Sequence, residues 1–200
     1  MSRPAGGLRW SPALAGRLEG ARWVPSPNHD DRPPGSTVDL LVIHAISLPP
    51  DRFIGDAVES LFTNALDCDA HPYFDQLRGL RVSAHFLIRR RGEVIQFVAT
   101  DARAWHAGVS HFDGRERCND FSIGIELEGT ERHPFTDAQY RRLVVLTRQL
   151  VQRHPLRHVA GHSDIAPGRK WDPGPLFDWA RYLDALRAAG MSTPRRIAPR

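Results

Sequence analysis

Two hundred residues, 41% hydrophobic and 25% charged, make a chain long enough to bury one substantial core without staples. Its formal net charge of +4 sits on scattered arginines with acidic residues between them, which argues against a nucleic-acid-binding stripe and suits a small anionic substrate. No apolar run reaches the roughly 18 to 20 residues that cross a bilayer, and the first 20 residues lack a secretory apolar stretch, so a cytoplasmic location without membrane contact is expected.

Along the chain, residues 1–37 are rich in Pro, Gly and Arg and show no sustained period; 1–19 read as an irregular lead-in to one domain over 20–189. Val38–Ile46 (VDLLVIHAI) is apolar on both faces, the pattern of a covered central strand. Asp56–Leu66 has Val58, Leu61, Phe62 and Leu66 at helical spacing. Val82–Val98 predicts a hairpin turning at Arg91-Gly92. Phe121–Glu128 alternates, with Phe121, Ile123, Ile125 and Leu127 on one face and Ser122, Gly124, Glu126 and Glu128 on the other.

Thr136 and Gln139 form a capping box, and Phe135 with Tyr140 a staple, at the start of a helix whose stripe is Tyr140, Leu143, Val144, Thr147, Leu150 and Val151. A short strand near Arg157–Ala160 and a last helix over about Pro175–Ala189 follow, the latter burying Leu176, Phe177, Trp179, Leu183 and Leu186. Residues 190–200 are Pro- and Arg-rich and read as a flexible tail. The fold class is mixed α/β, one domain. Cys68 and Cys118 are expected as free thiols.

The segment GHSDIAPGRKWDPG (161–174) holds the one lysine among 27 lysines and arginines. Lysine is a compact point charge and arginine a wide fork, so a retained Lys170 suggests a cation aimed at one atom. His162 and Asp172 flank it, and His44 ends the central strand, where open sheets place their sites. Two imidazoles and a carboxylate suit zinc with a fourth position for water, Glu126 suits a base for that water, and Lys170 suits an oxyanion partner. Each has an ordinary alternative. His44 could be a satisfied core histidine, His162 and Asp172 turn or cap residues, and Glu126 a solvated edge-strand glutamate with Glu128 as its competitor.

Together the segments VIHAISLPP, RVSAHFLIRRRGEVIQFV, RAWHAGVSHFDGRERCNDFSIGIELEG and VAGHSDIAPGRKWDPGPLFDW resemble the zinc-dependent N-acetylmuramoyl-L-alanine amidases. The resemblance spans roughly residues 20–185 and is nearest the cytosolic branch that recycles 1,6-anhydro-muropeptides. It implies His44, His162 and Asp172 as ligands of one zinc, Glu126 as catalytic base and Lys170 as oxyanion partner. It also implies a mostly β sheet flanked by helices, as in phage amidases and peptidoglycan-recognition proteins. Arg81, Ala104, Trp105 and Arg117 match positions that bind sugar and peptide in that family, though Arg81 and Arg117 could equally be surface ion-pair residues.

Two positions depart from the pattern. Ala45 replaces a frequent asparagine after the strand histidine, and Ala84 stands where some relatives carry an assisting tyrosine. His85 and His106 remain possible pocket-lining groups. The activity implied is hydrolysis of the amide between the lactyl group of anhydro-muramic acid and L-alanine, with a muropeptide as partner and no obligate protein partner. The competing readings are a non-catalytic peptidoglycan-binding module, which would have lost ligands, and a zinc peptidase of another substrate class; the helix-borne HExxH is absent.

Overall fold

Seven strands form one sheet in the computed structural model, which describes residues 7–189 and 195–196. In chain order they are β1 (Arg22–Trp23), β2 (Leu40–Ile46), β3 (Phe86–Ile88), β4 (Val94–Gln96), β5 (Ser122–Glu128), β6 (His158–Gly161) and β7 (Arg195–Arg196). The spatial order is β7-β6-β2-β5-β3-β4-β1. Only β3 and β4 are antiparallel neighbours; the other pairs are parallel. This is the mixed α/β architecture expected, with the predicted hairpin as β3–β4 and the two longest strands, β2 and β5, paired at its centre.

Helices cover both faces. On one side α2 (Asp137–Arg153) and α4 (Trp179–Ala188) pack on Leu41, Ile43, Ile123, Ile125 and Leu127. Thr136 accepts from the Gln139 N–H while the Gln139 side chain caps back, a box worth about 1 kcal/mol. Phe135 lies edge-on to Tyr140 at 6.4 Å. Leu146 and Tyr182 are buried members that the expected stripes omitted. On the other side α1 (Ala57–Phe62) covers the β3–β4 end through Val58, Leu61, Phe62, Leu87 and Ile95. Leu40, Val42, Ala160 and Phe121 form a separate cluster at the β2–β6 end of that same side. Between these two apolar clusters lies the polar face of β5.

Two regions read as irregular carry order. Arg9–Trp10 pairs with Leu18–Glu19, and Leu8 and Leu18 join the core, so part of the lead-in before residue 20 belongs to the packed fold. Arg195–Arg196 adds to β6 as a strand, with Arg196 paired to Asp164, where the sequence suggested only a tail; residues 190–194 and 197–200 lie outside the described residues. Cys68 and Cys118 are free thiols, as expected.

Candidate metal centre

His44 and Glu126 are register partners across the parallel β2–β5 pair, so both side chains leave the same face. That face is not solvated: every residue of β5 is buried, and the strand is central rather than an edge. Covered on both sides, β5 holds Glu126 at 8% exposure. Glu128 points the same way two residues on but is spent locally, accepting the Arg90 N–H at 2.8 Å. Glu126, by contrast, has an Oε2 that is buried without a hydrogen-bond partner.

The other members arrive where β6 ends. Gly161 closes the strand, and α3 (His162–Ile165) starts at His162. A Cβ at Gly161 would stand 2.7 Å from Pro173 Cδ, so only glycine lets the returning segment lie against the strand end. The Ser163 N–H then donates to the Asp172 carbonyl at 2.8 Å, fixing Asp172 beside His162. The result is a triangle of ligand atoms. His44 Nδ1 lies 3.0 Å from His162 Nδ1 and 3.1 Å from Asp172 Oδ2, and the third edge is 3.2 Å.

Proton counting tests whether this triangle suits a metal. His162 Nε2 lies 3.1 Å from the Ala107 carbonyl, which can only accept, so in the neutral imidazole that nitrogen carries the hydrogen and Nδ1 presents a lone pair. Asp172 as a carboxylate has no hydrogen to give. Burial, and then the neighbouring His162, push the His44 imidazole down to about 4, so it is neutral near pH 7 and has one N–H in all. At most one hydrogen can then enter a triangle with three close contacts. Three converging acceptors of this kind are stable around a cation, and two imidazoles with one carboxylate are a zinc donor set. The residues fit the group.

Two of these ligands, His162 and Asp172, line a cleft of about 620 Å³ together with Glu126, Lys170 and His106, while His44 is buried beside them. Burial, and then Asp172, raise the Glu126 carboxyl well above its ordinary range, with Lys170 pulling partly the other way. Lys170 is exposed at the cleft. Tyr73, Leu77 and Leu80 give the cleft an apolar wall.

The four expected substrate-binding residues are placed apart from this lining. Arg81 is exposed beside Val82, which does line the cleft. Ala104 is wholly enclosed in the α1-side cluster. Trp105 is half-buried and donates its indole N–H to Asp30 at 3.2 Å. Arg117 has a left-handed backbone, pairs with Asp120 at 3.3 Å and borders a second hollow of about 630 Å³ together with Arg169. Ala45 lines the cleft, so the missing amide is a difference at the site itself. Ala84 is buried at 0% exposure.

His106 lines the cleft, whereas His85 is locked beneath it, accepting the Gly124 N–H through Nδ1 and reaching the Ala102 carbonyl through Nε2. Sequence reasoning missed Arg32, a half-buried residue whose guanidinium donates to the carbonyls of Asn119, Asp120, Thr100 and Ser122, and Trp171, exposed on the cleft wall. Arg32 lies in an aperiodic Pro-rich stretch with no signal for burial. Trp171 sits between two residues already singled out, and its neighbours were the available signal.

The chain resembles known proteins in sequence and in fold. The family model for N-acetylmuramoyl-L-alanine amidase matches residues 34–175. The 1,6-anhydro-N-acetylmuramyl-L-alanine amidase AmpD of Escherichia coli (strain K12) is 59% identical over 169 residues, 84% of this chain and 92% of that protein. A crystal structure of a selenomethionine derivative of AmpD superposes with a TM-score of 0.85 at 55% identity, over 86% of this chain and 98% of the other. The E. coli amidase AmiD, in complex with anhydro-N-acetylmuramic acid-L-Ala-D-gamma-Glu-L-Lys, shares 30% identity at a TM-score of 0.55, over 77% of this chain and 60% of that one. A Drosophila peptidoglycan-recognition protein, at 16% identity and TM-score 0.55 over 88% of this chain and 89% of its own, shares the fold.

Proposed function

The chain belongs to the N-acetylmuramoyl-L-alanine amidase family, and on that premise we propose that it hydrolyses the amide between the lactyl group of 1,6-anhydro-N-acetylmuramic acid and L-alanine, using one zinc per chain. The observation that carries the reading is the triangle of His44, His162 and Asp172 beside a cleft that is also lined by a buried Glu126 with an unpartnered carboxylate oxygen. The name of the E. coli relative and the anhydro-muropeptide bound to AmiD support this substrate class.

Zinc held by His44 Nδ1, His162 Nδ1 and Asp172 Oδ2 would supply Lewis acidity toward water and the scissile carbonyl. Glu126 does the proton work: its free Oε2 takes a proton from the attacking water and returns it to the departing L-alanine amine. Lys170 places a positive charge at the cleft where the carbonyl oxygen becomes anionic. The apolar wall of Tyr73, Leu77 and Leu80 suits a compact anhydro-sugar ring. Arg81 and Arg117 remain our proposed partners for peptide carboxylates and Trp105 with Ala104 for the sugar.

No helix among the described residues is long and apolar enough to cross a membrane, and we place the reaction in the cytoplasm, as fractionation against compartment markers would check. The decisive assay offers the purified enzyme equal amide concentrations of anhydro-muramyl tripeptide, reduced muramyl tripeptide and intact sacculi. The anhydro form should lead in kcat/KM and sacculi should be cut least. Equal values for all three would reduce the assignment to a general zinc amidase.

A further inference from the structure

His44 reaches the metal triangle through Nδ1, so its hydrogen has to sit on Nε2, and His44 Nε2 lies 3.0 Å from His106 Nδ1. Two neutral imidazoles in contact need one hydrogen between them and not two or none. The next contacts decide the matter. His106 Nε2 lies 3.2 Å from Ser122 Oγ, and Ser122 Oγ lies 2.5 Å from the Cys118 carbonyl. A carbonyl has no hydrogen, so the single hydroxyl hydrogen of Ser122 is committed to it, and Ser122 faces His106 as an acceptor. His106 therefore carries its hydrogen on Nε2 and offers a lone pair at Nδ1. That lone pair receives the His44 Nε2–H, and the His44 Nδ1 lone pair is left facing His162 and Asp172.

We propose that His106 and Ser122 are positioning residues for the zinc site: a relay from the Cys118 carbonyl through Ser122 and His106 sets the tautomer and ring plane of His44. The inference rests on the zinc reading above and adds to it how the ligand is prepared. Three further observations show that the relay is built in. A Cβ on Gly124 would stand 2.5 Å from His106 Cγ, so the glycine is the floor on which the ring lies. The His44 and His106 rings are nearly perpendicular, 86°, with centroids 5.1 Å apart, which aims the Nε2–H edge of one at the other. Asn119 Oδ1 accepts the main-chain N–H of both His106 and Ala107, holding that segment in place. The alternating face of β5 thus supplies the anchor at Ser122, the floor at Gly124 and the base at Glu126. Partners of this kind beyond the ligand typically change metal affinity by about 10- to 100-fold.

The test compares full-length wild type with His106→Leu, His106→Asn, Ser122→Ala and Asp172→Ala. Zinc affinity is measured by chelator competition, and the imidazole nitrogens of the metal-free proteins by long-range proton–nitrogen NMR. We expect wild-type His44 to carry its hydrogen on Nε2. His106→Leu should weaken zinc by about 10- to 100-fold and move His44 toward the Nδ1–H form. His106→Asn, whose Oδ1 stands near the lost Nδ1, should restore most of both. Should the leucine variant fail to fold, Ser122→Ala is the gentler probe: His106 should become a mixture of tautomers and zinc should bind more weakly. Wild-type zinc affinity together with an unchanged His44 tautomer in His106→Leu, or in Ser122→Ala, would overturn the relay. Failure of wild type to bind zinc, or full binding by Asp172→Ala, would instead overturn the metal site beneath it.

Discussion

Replacing Glu126 and Glu128 by glutamine, one at a time, separates catalysis from architecture on a single strand face. Glu126 is opposite His44 in register, lines the cleft and has a buried oxygen with no partner. Glutamine keeps its shape and removes its basicity. Loss of a general base costs about 10²- to 10⁴-fold, roughly 2.7 to 5.4 kcal/mol of barrier, so Glu126→Gln should bind zinc normally and lose kcat by that range. Glu128 works differently. Its Oε2 accepts the Arg90 N–H at 2.8 Å, and the Arg89 guanidinium is 3.9 Å away. Glutamine still offers an oxygen to Arg90, so Glu128→Gln should stay within about threefold of wild type in turnover, about 0.7 kcal/mol.

Stability supplies a second, opposite readout. The folded Glu126 carboxyl keeps its proton to higher pH than an unfolded glutamate does, because ionising it means charging a buried group beside Asp172. Stability attached to that group is therefore complete below the ordinary glutamate range and declines as pH rises above it. In the metal-free protein, Glu126→Gln should be more stable than wild type near pH 7, and the advantage should fade as the pH falls below that range. Steady-state kinetics, chelator titration and thermal melts at several pH values measure all of this. Normal turnover in Glu126→Gln with a collapse in Glu128→Gln would refute the choice of Glu126 as the base.

Asp172→Ala should release zinc and abolish hydrolysis together, since the triangle loses its only anionic corner; metal analysis alongside kinetics checks it. Lys170→Arg conserves charge but widens the cation, and turnover should still fall by about 10²- to 10³-fold, as when an oxyanion donor is removed; near-normal kcat would reduce the solitary lysine to coincidence. Gly129→Ala would put a Cβ 2.3 Å from the Phe135 ring, which is wedged against Tyr140 and Phe177. Overpacking of this kind costs about 1 to 3 kcal/mol, visible as a lower melting temperature with zinc affinity unchanged.

Much of this was readable from residue pattern. The unbroken apolar run of β2 announces a strand covered on both faces, and the capping box at Thr136 marks the start of α2 to the residue. The alternation of β5 was legible too, but it pointed to a half-exposed strand. Pattern reports which residues are polar, and not whether another layer covers them. Here the second layer is built from distant pieces: α1, the 104–121 segment and the 162–173 return. The same limit hid Arg32, because a guanidinium that donates to four carbonyls distant in the chain has no local signature. Strands as short as Arg9–Trp10 and Arg195–Arg196 carry no period at all and exist only as additions to a partner. The metal ligands come from two chain segments more than a hundred residues apart, and motif context, not periodicity, joined them.

What holds those segments in line is the reverse side of the sheet. Parallel strands have evenly spaced hydrogen bonds, so the backbone alone does not strongly favour one register over the next. Side chains make the selection. Leu41 with Ile123 and Ile43 with Ile125 are register partners, all fully buried in the core under α2 and α4. A one-residue slip of β5 against β2 would turn Ile123 and Ile125 toward the cleft and carry Glu126 into the core behind, burying an unpartnered polar group there. The penalty falls on both faces at once, so the apolar pairs that never touch substrate set where the base stands relative to the metal ligand. The free carboxylate oxygen of Glu126 is a local cost in the folded chain. A central strand pair can bear it because its back face is continuous core; an edge strand, paired on one side only, would leave the same glutamate to rotate into solvent. The same argument accounts for Ser122 and Gly124. They share the face of Glu126, and once the register is set they can offer His106 an acceptor and a floor at fixed distance from His44.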